Sequence, residues 1–168
     1  MVAARTDNAT PERVREAFDY DPSTGIVTRR ITLGPRAMAG SVVGTFEGKY
    51  LQVILDHKTY MLHRLIWCWM TGRWVAGQID HVDRDALNNK WDNLREATAS
   101  QQMGNTDLRP NNTSGFRGVA WAPNNNKWRA AIGRNGKLTY LCYFDDIEEA
   151  AAVAASAREE FFGEFFAG

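Results

Sequence analysis

The chain has 168 residues, 44% of them hydrophobic and 24% charged, with no net charge at pH 7. This is the profile of one full-size globular domain or two small ones, and it excludes a disordered tail and a collagen-like repeat. No run approaches the roughly 20 apolar residues of a membrane-spanning helix, and residues 1–25 lack the apolar centre of a secretory signal. Cys68 and Cys142 form no spacing pattern, which suits a reducing compartment and a cytoplasmic location. The zero net charge hides a strong polarity along the chain. Residues 110–144 carry five basic and no acidic side chains, whereas residues 145–168 carry one basic and seven acidic.

Thr10-Pro11-Glu12-Arg13 predicts a short helix with Thr10 as N-cap and Pro11 in the first turn. A turn at Asp21–Gly25 leads to an expected strand over Ile26–Ile31. Tyr50–Leu55 alternates as a strand, Asp56-His57-Lys58 turns, with His57 solvated, and Thr59–Leu62 is the return strand. His63–Met70 is dense in apolar residues and ends at Gly72, which predicts a buried helix with a glycine cap. His63 is expected to cap or pack that helix, and Cys68 to lie in the core. Arg109–Gly115 (RPNNTSG) is rich in turn formers and divides the chain. The expected units are residues 1–108 and 114–168, with 109–113 as linker. The second unit shows three strands, Phe116–Trp121, Lys127–Gly133 and Lys137–Phe144, the last two joined through Asn135-Gly136, a hairpin signal. A helix then runs to Phe162, with Asp145 as cap and Glu148 as its capping-box partner.

The densest chemistry lies in Asp80-His81, Asn88-Asn89, Asp92-Asn93-Leu94-Arg95 and Gln101-Gln102 through Asn105. Hydrolysis of a phosphodiester needs a base to activate water and a cation to neutralise charge on the phosphate and the leaving oxygen. His81 can serve as the base because an imidazole titrates near neutrality. Asp80 can hold a hard divalent cation such as Mg2+, and amide oxygens can complete its shell without adding charge. No set of four ligands at suitable spacing indicates a structural zinc site.

Taken together, His63-Arg64, Gly72, Asp80-His81, Asn88-Asn89, Asp92-Asn93-Leu94-Arg95, Ala97-Thr98 and Gln101 resemble the HNH endonuclease family in its phage and homing-endonuclease branch. The resemblance implies a ββα-metal (His-Me finger) fold centred on about residues 60–108, within an α+β chain. It implies that His81 is the general base, that Asp80 is a metal ligand and that Asn93 supports the loop and keeps His81 oriented. It implies Mg2+ or Mn2+ as cofactor and a phage, prophage or mobile-element origin in a bacterial host. Gln102 stands where the family places an Asn or His ligand and offers an amide oxygen one methylene further out. Asn105 is the alternative ligand.

In the second unit, strand alternation puts Lys127, Arg129, Ala131 and Gly133 on one face and Trp128, Ala130 and Ile132 on the other, the natural partner of the alanine-rich helix. Ser114–Val119, Lys127–Ala130, Tyr140–Asp145 and Glu148–Ala151 resemble the plant ethylene-response-factor (Apetala-type) DNA-binding domain, a three-stranded antiparallel sheet packed on one helix. Candidate DNA contacts are Arg117, Gly118, Trp121, Lys127, Arg129, Arg134, Lys137 and Tyr140. Ala120, Ala122 and Leu138 stand where that family often has basic residues, which favours phosphate positioning over base readout. The expected function is a metal-dependent endonuclease acting on double-stranded DNA, with no obligatory protein partner. One site cuts one strand, so cutting both needs a homodimer or two events. The alternative is a sequence-specific DNA-binding protein on a nuclease scaffold that has lost activity.

Overall fold

The computed structural model describes residues 8–98, 101–102, 108, 110–134 and 137–165, and the chain divides into two compact units, Met1–Glu96 and Ala97–Gly168. Among the described residues no helix is long and apolar enough to cross a membrane.

The first unit opens with α1 (Pro11–Ala17), capped as the sequence predicts: the Thr10 hydroxyl accepts from the Arg13 N–H at 3.2 Å. It passes directly into β1 (Phe18–Asp21), which pairs antiparallel with β2 (Ile26–Arg29). The predicted strand over Ile26–Ile31 is therefore two residues shorter. A second antiparallel sheet has the order β3 (Thr45–Glu47), β4 (Tyr50–Leu55), β5 (Lys58–Met61). β4 has the predicted bounds. The return strand ends at Met61, not Leu62, because Leu62 begins α2 (Leu62–Thr71) and buries its side chain almost completely. Gly72 caps α2 in the left-handed conformation, with its N–H on the Cys68 carbonyl. α2 drives the core: Leu62, Leu65, Ile66 and Cys68 pack with Val14, Phe18, Val53 and Leu55. The Arg64 guanidinium donates to the carbonyls of Val75 and Gly77, both at 3.0 Å, and ties down the segment that leads into the next strand. That strand, β6 (Gln78–His81), pairs with β7 (Leu94–Ala97).

In the second unit, Thr98 and Gln101 cap each other reciprocally. The Gln101 N–H donates to the Thr98 hydroxyl at 3.2 Å, and the Thr98 N–H to Gln101 Oε1 at 2.9 Å. Strands β8 (Val119–Ala122), β9 (Lys127–Arg134) and β10 (Lys137–Phe144) form an antiparallel sheet with β9 central. β8 starts at Val119 rather than Phe116 because Gly115 (φ +77°) and Gly118 (φ +80°) turn the chain through the left-handed region first. α3 (Ile147–Phe162) places Ala150 and Ala154 in one apolar cluster with Val119 and Ala130, against which Trp128 and Leu141 pack. Small side chains at those positions let helix and strand approach closely. The cap of α3 is Asp146, not Asp145: one Asp146 oxygen accepts from the N–H groups of Glu148 (2.7 Å) and Glu149 (3.0 Å). Asp145 instead meets the Lys127 ammonium at 3.0 Å.

Gly118 is a point of close approach. Its carbonyl accepts from Ala131, and a Cβ there would stand 2.5 Å from the Ala131 carbonyl oxygen. At Gly115 a Cβ would meet nothing within 4 Å. Gly115→Ala should therefore cost only left-handed strain, roughly 1–2 kcal/mol. Gly118→Ala should cost clearly more, because backbone must also move. Urea unfolding of both variants measures the difference, and equal costs would contradict the packing account.

Candidate active site

β6 presents Ile79, Asp80 and His81 in succession, all buried, with Asp80 and His81 each only 5% exposed. Neighbouring residues on a strand project to opposite sides of the pleat, and these two find different surroundings. Asp80 faces Arg95 on β7, which donates Nε (3.0 Å) and a terminal nitrogen (2.8 Å) to the same carboxylate oxygen. This buried pair compensates a charge that would be costly to desolvate alone. The His81 ring lies edge-on to His63 at 5.3 Å between centroids, and both rings lie near Tyr50, at 6.2 and 5.1 Å respectively. His81 Nε2 is 3.3 Å from the Asn89 side-chain oxygen. Burial lowers the His81 pKa below its ordinary value, against the Asn89 bond and the charges of Asp83, Asp80 and Asp85. Burial thus favours the neutral ring, the form that can accept a proton.

The loop from Val82 to Lys90 returns the chain to β7, and Asn93 holds it. The Asn93 side-chain oxygen accepts from the Asp83 N–H (3.0 Å), and its nitrogen donates to the Asp83 carboxylate (2.9 Å) and the Asn88 carbonyl (2.7 Å). The Asn93 carbonyl also accepts from Val82. Asn88 adds a 2.6 Å bond to the other Asp83 oxygen. Desolvation works to raise the Asp83 pKa, but the bonds from Asn88, Asn93 and the Asp85 N–H prevail and hold it below the usual carboxylate range.

Asp80, His81 and Asn93 are thus brought together in one unit. Gln102, half-buried in a helical turn with its N–H on the Thr98 carbonyl, belongs to the second unit, and Asn105 lies outside the described residues. Four residues join the site without having been assigned to it from sequence: Tyr50, His63, Asn89 and Arg95. The asparagine doublet and the arginine of Asp92-Asn93-Leu94-Arg95 were visible as pattern, but nothing local says that one amide faces the imidazole or that the arginine pairs with Asp80. His63 packs at the start of α2, as expected, and also touches His81.

The described residues contain no group of three His, Cys, Asp or Glu side chains arranged for a metal. Asp80 is the buried carboxylate beside His81, and a hard cation can be bound through only one or two carboxylates because it keeps several waters. This is the habit of Mg2+ rather than of ions held in all-protein cages.

In the second unit, Arg129 lies over the Tyr140 ring at 4.6 Å, within cation–π range, and Tyr143 stands opposite Arg129 on β10. Leu138, Tyr140 and Tyr143 are exposed. Trp121 pairs with Trp128, with the rings 5.1 Å apart, so it follows the helix-side alternation and is separated from Arg129. Lys137 is exposed and pairs with Arg134 at the end of the β9–β10 hairpin. Arg117 is half-buried beside α3, where burial, then the charge of Arg117, pushes the Arg158 pKa down to about 10. Gly118 has the packing role described above.

The HNH endonuclease family model matches residues 60–103, the segment that runs from α2 through both strands of the site. A relative in Escherichia phage T7, protein 3.8, is 33% identical over 81 residues, 48% of this chain and 67% of that protein. The chain belongs to the HNH endonuclease family. A second relative of this HNH protein, the uncharacterized HNH endonuclease L560 of Acanthamoeba polyphaga mimivirus, is 32% identical over 117 residues, 68% of this chain and 60% of that protein. No solved structure matches. The family match ends before the three-stranded sheet begins.

Removal of the Asn93 amide breaks its part-buried bonds to the Asp83 N–H and the Asn88 carbonyl. Asn93→Ala should cost about 1–3 kcal/mol in urea unfolding. The lowered Asp83 pKa stabilises the fold above the ordinary aspartate range, and this is lost as pH falls through the depressed value. Because Asn93→Ala removes part of that depression, its stability should fall less on acidification than that of the parent. Identical acid limbs would contradict the bonding assigned to Asp83.

Proposed function

We propose that the chain is a metal-dependent endonuclease that hydrolyses phosphodiester bonds in double-stranded DNA. The carrying observation is a buried imidazole, its pKa lowered by burial, next to a buried carboxylate, inside the segment that matches the HNH endonuclease family. His81 accepts the proton of the attacking water, and its ring is held against motion by His63, Tyr50 and Asn89. Asp80 holds a divalent cation, Mg2+ or Mn2+. When bound, that ion neutralises charge on the phosphate and on the departing 3′ oxygen. Arg95 orients Asp80, and Asn93 fixes the loop between the two strands. Gln102, with Asn105 as the alternative, supplies the amide ligand that the family resemblance implies.

The second unit is read as the part that grips DNA. The Arg129 guanidinium, which lies over the exposed Tyr140 ring, is the proposed phosphate contact. Lys127 and Tyr140 share its face, next to exposed Tyr143. The acidic helix α3 packs on the opposite face of the sheet. A second reading, a DNA-binding protein that no longer cuts, is favoured by Gln102 in place of Asn or His and by the two Arg95 bonds on one Asp80 oxygen.

Conversion of supercoiled plasmid to open circle with and without Mg2+ or Mn2+ separates the two. Metal-dependent nicking that disappears in His81→Ala is expected. A folded protein that shifts duplex DNA but never nicks it, with Gln102→Asn gaining activity, would favour the second reading. Arg129→Ala should lower the slope of log affinity against log salt by about 0.9, the loss of one phosphate contact. An unchanged slope would remove Arg129 from the DNA face.

A further inference from the structure

The asparagine that touches the imidazole is Asn89, and its surroundings fix which way its amide points. Asn89 is buried, 2% exposed, and its Nδ2 donates to the Leu87 carbonyl at 3.2 Å. Only a donor can face that carbonyl, so the other end of the amide, Oδ1, is what stands 3.3 Å from His81 Nε2. An oxygen acceptor there requires Nε2 to carry the ring proton. The lone pair of the neutral imidazole is then on Nδ1.

Asn89 is itself held by a part of the chain outside the family-matched segment. The Tyr20 hydroxyl donates to the Asn89 carbonyl at 2.8 Å, and burial, then the charges of Asp21 and Asp92, push the Tyr20 pKa up, so the phenol remains a donor. The Trp91 N–H donates to the Pro22 carbonyl at 3.1 Å. Gly25, at φ +77°, lets the β1–β2 turn press directly on this segment: a Cβ there would stand 2.7 Å from both the Asn89 carbonyl carbon and the Lys90 nitrogen. The hairpin and the asparagine loop are therefore backbone against backbone, with no side chain between them.

We propose that Asn89 is a positioning residue that sets the tautomer of His81, with the proton on Nε2 and the accepting lone pair on Nδ1, and that the β1–β2 hairpin holds Asn89 in that role. The proposal deepens the endonuclease reading and rests on it for its catalytic meaning, although the tautomer exists whether or not the protein cuts DNA. Truncation or displacement of Asn89 removes the acceptor that favours the proton on Nε2, so a fraction of the molecules should carry the proton on Nδ1 and lose the accepting atom there. Loss of such outer partners of site residues typically costs about 10–100-fold in activity.

The test is nitrogen NMR of the histidine rings at a pH where they are neutral, in the full chain. The parent protein should show His81 with a protonated Nε2 and an unprotonated Nδ1. Asn89→Leu should show a mixture of tautomers, and Asn89→Asp, which keeps an acceptor oxygen, should restore the Nε2–H form. If Asn89→Leu does not fold, Gly25→Ala, which displaces the Asn89 backbone without removing its amide, should also move the ring toward a mixture. A parent His81 protonated on Nδ1, or a folded Asn89→Leu with the parent tautomer, would overturn the proposal. In the plasmid assay Asn89→Leu should lower kcat about 10–100-fold with KM little changed. A parent that shows the expected tautomer but never nicks would support the positioning role of Asn89 while refuting the endonuclease reading.

Discussion

The structure of the site depends on how one amide, that of Asn93, closes the loop between β6 and β7. Its three side-chain bonds reach the Asp83 backbone, the Asp83 carboxylate and the Asn88 carbonyl, and its own carbonyl receives Val82. A carboxylate or a hydroxyl could not do this, since one position must both donate twice and accept once within a few ångströms. With the loop closed in this way, the residue after Asn88 is placed beside His81, and β7 is placed so that Arg95 meets Asp80. The two halves of the proposed chemistry, base and metal ligand, thus depend on the same short loop.

Burial makes the arrangement both costly and specific. Asp80, His81, Asn89, Asn93, His63 and Arg64 are all removed from solvent, and a buried polar group is tolerated only when it is satisfied. The partners are supplied from four directions: β7 for Asp80, the asparagine loop for His81, the segment before β6 for Arg64, and the N-terminal hairpin for the loop itself. Such a network leaves little freedom for the imidazole. Burial lowers the His81 pKa against the pull of the Asn89 bond and the nearby carboxylates, which favours the neutral ring. The apolar core built on α2 supplies the fixed wall against which these polar contacts are made.

Much of this was legible in the sequence where the signal is local. The Thr10 cap, the bounds of β4, the Gly72 end of α2 and the bounds of β10 follow from rules that span only a few residues. The adjacent Asp80-His81 and the spaced asparagines pointed to the family whose model matches residues 60–103. What stayed hidden depends on distance in sequence. β1 and β3 are only four and three residues long, too short for a periodic pattern. The start of β8 was misplaced because two left-handed glycines turn the chain just before it. The cap of α3 was shifted by one because two adjacent aspartates offer equal local signals, and only the position of Lys127 separates them. The contacts of Asn89 with Tyr20 and Gly25 join residues more than sixty apart, and no spacing rule reaches that far.

The proposed reaction is hydrolysis, in which water that gives its proton to His81 attacks a DNA phosphate. Cleavage of duplex DNA in heavy-oxygen water, with Mg2+ or Mn2+ present, followed by mass measurement of the new ends, tests it most directly. One heavy oxygen in each new 5′ phosphate, opposite an unlabelled 3′ hydroxyl, is the predicted result. Unlabelled phosphates at the cut, or no cut ends from a folded protein that binds the duplex, would contradict it.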